Sequence, residues 1–102
     1  MQRIKGMIGL ARRAGKVIIG TELITQAMPK GRVRLVLISS GASDGTRERL
    51  THKCEYYKIP SLALDIEKEE LGAILGKSGL VSSVAICDDS FANEIARLIS
   101  SR

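Results

Sequence analysis

Two stretches come within one residue of a phosphate-cradling loop. Five residues separate Gly9 from Gly15-Lys16, and three separate Gly72 from Gly76-Lys77-Ser78. A loop whose amides wrap a β-phosphate needs four, followed by Lys and then Ser or Thr, so neither spacing serves nucleotide hydrolysis. Gly76-Lys77-Ser78-Gly79 also has the G-x-x-G form that clamps a nucleic-acid backbone between two helices. Here it leaves a helix and enters a strand. A helix stop explains Gly76 and a turn explains Gly79, although the basic loop can still touch RNA.

Asp65 follows the apolar run LAL, and Asp88 and Asp89 follow AIC. Open α/β sheets place ligands at such strand ends. Each acid also stands directly before a helix, where a carboxylate caps free amides, and capping is the simpler account. His52 and Cys54 make only H-x-C, on different faces of one helix, with no second pair to complete a metal set. Nothing in the sequence near Cys54 announces a lowered thiol pKa. The chain is therefore read as a non-enzyme without metal or cofactor.

Basic residues are the stronger signal. Residues 1–34 hold eight cations against Glu22 alone, a net of +7, whereas residues 35–102 hold eight cations against ten acids, a net of −2. So concentrated a charge attracts polyanions. Gly20-Thr21 opens a helix whose free amides favour a phosphate. Lys16 precedes it, Lys30, Arg32 and Arg34 follow it, and Arg12 and Arg13 end the preceding helix. Neutralising phosphates with these side chains would contribute salt-dependent affinity.

The elements that must position them follow from hydrophobic spacing. Ile4, Met7, Ile8 and Ala11 lie on one face of a first helix, which Gly15 ends. Lys16–Ile19 reads as a short strand. Thr21 is the expected N-cap of a second helix burying Leu23, Ile24, Ala27 and Met28, closed by Pro29 and Gly31. Val33–Ile38 is a strand apolar on both faces. Ser43 or Asp44 caps a third helix reaching Tyr57, with Leu50, Cys54 and Tyr57 inward, and Ser61–Leu64 is a short strand. Glu67, Glu69 and Glu70 begin a fourth helix burying Leu71, Ile74 and Leu75 and stopping at Gly76. The strand SSVAIC precedes a last helix, capped by Asp88 or Asp89, that buries Phe91, Ile95, Leu98 and Ile99.

Helices alternating with short apolar strands imply an α/β fold, a three-layer α/β/α sandwich around a four-stranded mixed sheet. The 102 residues suit one domain, 1–102, with a core of Leu, Ile, Val and Ala, since there is no Trp and one Phe. Cys54 and Cys87 read as reduced, buried small hydrophobes of a cytoplasmic protein. No apolar run is long enough to span a membrane. The start, MQRIKGMIGLARR, lacks the h-region of a secretory signal.

GLARRAGKVIIG, LVLISSGAS with Thr46, KCEYYKIP, LGAILGKSG and VAICDDSFA stand in an order and spacing that resemble one family over nearly the whole chain. This is the kink-turn-binding ribosomal protein family (the L-seven-Ae and L-thirty-e superfamily), with its bacterial YlxQ-type members. The resemblance implies the sandwich fold and non-catalytic binding of structured RNA, a kink-turn or rRNA, in association with the ribosome. The family's reading helix begins Gly-x-Asn-Glu, or Gly-Thr-Lys-Gln in some bacterial members. Gly20 and Thr21 match it, but Glu22 and Leu23 stand in the last two places and Gln26 replaces a common Lys. Gly79, Leu80 and Val81 match the family's apolar loop that packs on an extruded base. The alternative is a protein-interaction module of the same fold, with the basic face on an acidic partner.

Overall fold

The computed structural model describes residues 2–101. Its elements run α1 (Gln2–Arg13), β1 (Val17–Ile19), α2 (Thr21–Ala27), a 3-10 turn (Met28–Lys30), β2 (Leu35–Ile38), α3 (Asp44–Tyr57), β3 (Ser61–Ala63), α4 (Lys68–Ile74), β4 (Ser83–Ile86) and α5 (Asp89–Ser100). The sheet order is β1-β4-β2-β3. β4 lies antiparallel to both β1 and β2, whereas β2 and β3 are parallel. The expected mixed four-stranded sheet is present.

Period-two alternation divides the core between the two faces of that sheet. Leu35 and Leu37 of β2 and Val84 and Ile86 of β4 pack with Ile4, Ile8, Leu71, Leu75, Ile95 and Leu98, the inner faces of α1, α4 and α5. Val36, Ile38 and Ala85 point the other way, onto Ile24, Ala27, Met28, Leu50 and Cys54 of the α2–α3 layer. Because both faces are covered, β2 and β4 are buried throughout. The central strands therefore read as apolar runs without alternation.

Local signals fixed most boundaries. Ser43 caps α3 by accepting a hydrogen bond from the Thr46 amide, and Asp88 caps α5 by accepting one from Phe91. Four expectations need correction. Asp65 does not cap α4, whose N-cap is Glu67 and which has no side-chain cap. Thr21 is not the N-cap of α2; Gly20 is. Leu23 is not in the buried stripe but is 57% exposed. Cys87 is only half-buried, because it stands where β4 gives way to α5.

Candidate nucleic-acid interface

β1 is followed by Gly20, whose φ of 102° and ψ of 137° suit glycine and strain other residues. The Gly20 amide donates to the Ser83 carbonyl at 3.3 Å, and the Gly20 carbonyl accepts from the Ile24 amide at 3.0 Å. No side chain caps α2. Instead the Thr21 hydroxyl lies 3.0 Å from that of Ser83, which is fully buried. This hydroxyl pair ties the start of α2 to the start of β4.

A groove runs along the outer edge of β1. Val17, Ile18 and Ile19 form its floor, Leu23, Gln26 and Ala27 of α2 form one wall, and Arg12, Lys30, Arg32 and Lys77 bring cations to it. These four come from the end of α1, the 3-10 turn, the approach to β2 and the loop after α4. Among the described residues none of the four is ion-paired. Arg12 is held in place because its Nε donates to the Leu75 carbonyl at 3.0 Å.

Lys77 lies outside the site expected from sequence, although the basic Gly76–Gly79 loop was its signal. The other expected cations are elsewhere. Lys16 and Arg34 do not line the groove; they stand with Arg32 at the Cys87 end of the sheet, opposite Gly20, where the Cys87 amide donates to the Lys16 carbonyl and the Arg34 amide to that of Ile86. Four residue steps of strand separate Lys16 from Gly20, about 13 Å. Arg34 is also engaged, its Nε 3.3 Å from Asp89. Burial raises the Cys87 thiol pKa, opposed by the nearby charges of Arg32, Arg34 and Lys16. Arg13 is exposed at the end of α1, outside the groove lining.

The loop between α4 and β4 enters the sheet at the Gly20 end. Leu80 is 61% exposed. Val81 is not available to a ligand: it is buried in the core, and its amide donates to the Lys68 carbonyl at 3.2 Å. Val81 thus anchors the loop and Leu80 is the side chain presented.

By sequence, Glu22 brings negative charge to this surface. Its carboxylate meets Arg49 Nη1 of α3 at 2.5 Å, so that charge is opposed. The hydrogen bond and charge of Arg49 hold the Glu22 carboxyl below its ordinary pKa, against a smaller opposing effect of burial.

Residues 2–96 match the family described as ribosomal protein L7Ae/L30e/S12e/Gadd45. The chain belongs to this family. The family member is 38% identical over 93 residues to the RNA-binding protein YlxQ of Bacillus subtilis (strain 168), covering 91% of each chain. It is 33% identical over 98 residues to the YlxQ of Enterococcus faecium, covering 96% of this chain and 92% of that one. A solved structure of a protein with unknown function from Bacillus halodurans superposes with a TM-score of 0.89 at 32% identity, covering 95% of this chain and 96% of the other. The Giardia lamblia 15.5kD RNA binding protein shares the fold, with a TM-score of 0.78 at 18% identity over 95% of this chain and 82% of its own.

Proposed function

We propose that this family member is a non-catalytic, cytoplasmic, ribosome-associated protein, one domain over residues 1–102, that binds structured RNA of the kink-turn or ribosomal kind. The observation carrying the proposal is the groove beside β1, where Arg12, Lys30, Arg32 and Lys77 converge without acidic partners among the described residues. Backbone phosphates lie along this groove. The cations fix the register of the RNA and carry no sequence information themselves.

Shape is read at the sheet end that holds Gly20. The exposed Leu80 packs on an unstacked base. Leu23 occupies the place of a polar side chain in the family's reading motif and has no hydrogen bond to offer a guanine edge. Discrimination therefore rests on the bend of the RNA and on Leu80. Glu22 does not repel the approaching backbone as a free carboxylate would, because Arg49 offsets its charge.

The test is a titration of a kink-turn RNA and a straight duplex against wild type and a Lys30→Ala/Arg32→Ala variant at several salt concentrations. The variant binds both RNAs more weakly, and its salt slope falls by about one for each phosphate that it no longer neutralises. Unchanged affinity would reject this surface. Exposed Leu23 inside the groove also suits an acidic protein partner. A preparation that carries nucleic-acid absorbance at low salt and sheds it at high salt favours RNA.

A further inference from the structure

We propose that α3 carries a second RNA contact, in which Arg49, His52, Lys53 and Tyr56 hold an unpaired strand flanking the structured element. These residues fall at i, i+3, i+4 and i+7, which brings them onto one helical face. All four are exposed, and together with Tyr57 they line a shallow depression. The inference rests on the RNA-binding reading above and extends it to a separate surface.

Tyr56 is 78% exposed, the most exposed of the large hydrophobic side chains among the described residues. Its ring is steadied by Tyr57, with centroids 4.8 Å apart and planes at 86°. Tyr57 is in turn packed against the α2–α3 core. A solvent-exposed aromatic ring packed edge-on against a second ring, with Lys53 and Arg49 one and two turns before it, meets the needs of a single strand. The base stacks on the ring and the phosphates meet the cations. Leu, Ile and Val are absent from this face, so it offers little apolar area for a protein partner.

Acidic neighbours bound the face without covering it. Glu48 and Glu55 flank its His52 edge, about 40° and 60° around the helix from His52, and lie farther from Arg49, Lys53 and Tyr56. Glu22 of α2 takes one edge of the Arg49 guanidinium, whose remaining donors stay free for a phosphate. That ion pair also makes the two surfaces continuous. α2 turns Leu23 and Gln26 toward the groove and Glu22 toward α3, so a strand leaving the groove crosses one short helix to reach Tyr56.

The protein carries its own reporter, since Tyr56 and Tyr57 are its two tyrosines and it has no tryptophan. An oligouridylate of about ten nucleotides, within the usual site size for single strands, is titrated while tyrosine emission and the anisotropy of an end-labelled oligomer are recorded. Emission is expected to fall as the oligomer binds, in Tyr57→Phe as in wild type. Tyr56→Ala weakens binding roughly tenfold, whereas Tyr56→Trp retains it. The Lys30→Ala/Arg32→Ala variant binds structured RNA more weakly yet keeps this quenching. Structured RNA that fails to bind wild type while oligouridylate quenches would overturn the groove alone. Unchanged emission at saturating oligomer, equal affinity in Tyr56→Ala, no binding at low salt, or equal quenching by polyglutamate would each overturn the second contact.

Discussion

A β-carbon placed on Gly72 would collide with the carbonyl oxygen of Gly79. The loop that presents Leu80 is thus seated directly on α4, and it sits there because Gly72 has no side chain. Gly72→Ala is expected to destabilise the fold by about 1–3 kcal/mol in denaturant unfolding, as overpacking does, and to weaken binding of kink-turn RNA by shifting Leu80. Gly79 has open space around it. Gly79→Ala should stay within about 0.5 kcal/mol of wild type.

The hydroxyls of Thr21 and Ser83 share one hydrogen bond at 3.0 Å, and Ser83 is buried. Thr21→Val keeps the shape but strands the Ser83 hydroxyl. The expected cost is about 1–3 kcal/mol, measured by chemical denaturation, whereas Thr21→Ser costs less than Thr21→Val. Stability that is the same in Thr21→Val and wild type would show that this pair does not tie α2 to the sheet.

Glu22 titrates below its ordinary value of 4.5 because Arg49 stabilises the carboxylate. A depressed folded-state pKa contributes stability above the unfolded value, and that contribution is lost as pH falls through the folded one. Side-chain NMR should place the Glu22 midpoint below 4.5, and Arg49→Met should return it toward that value. The Glu22–Arg49 pair is therefore lost only in acid, below about pH 4.5, while the buried contacts between α2 and α3 remain. A Glu22 midpoint unmoved by Arg49→Met would disprove the pair in solution.

The two thiols differ in environment. Burial pushes the Cys54 pKa up to about 11, and its side chain is 2% exposed, while Cys87 is half-buried among cations. Thiolate is the reactive form, so a native-state reaction with a disulfide reagent should modify Cys87 first. Cys54 should react at the rate of opening of the α2–α3 layer. Equal rates at neutral pH would contradict the packing described.

Sequence periodicity carried most of the architecture. Ile4, Ile8 and Ala11 repeat at helical spacing, and the runs LVLI and SVAI are apolar at successive positions because both sheet faces are covered. Ser43 and Asp88 are caps whose partners lie three residues away, so they were legible locally. Gly20 was marked by a motif and Leu80 by its place in the loop before β4, and both stand at one end of the sheet.

Leu23 was not legible, because α2 has only seven residues. In two turns the apolar period allows either Leu23 or Ile24 to face inward, and they differ by about 100°. Packing on Val36 and Ala85 settled the choice for Ile24. Charge was legible as a total but not as a surface. Sequence supplied the cations of the first third of the chain, and the strand direction of β1 then separated Lys16 from Gly20. Pairing removed Arg34 to Asp89 and bound Arg49 to Glu22, while Lys77 arrived from a distant loop. Elements form from neighbours a few residues apart, so the sequence determined them. Which cations share a groove depends on chain segments that meet only when the sheet assembles, so tertiary structure alone decided it.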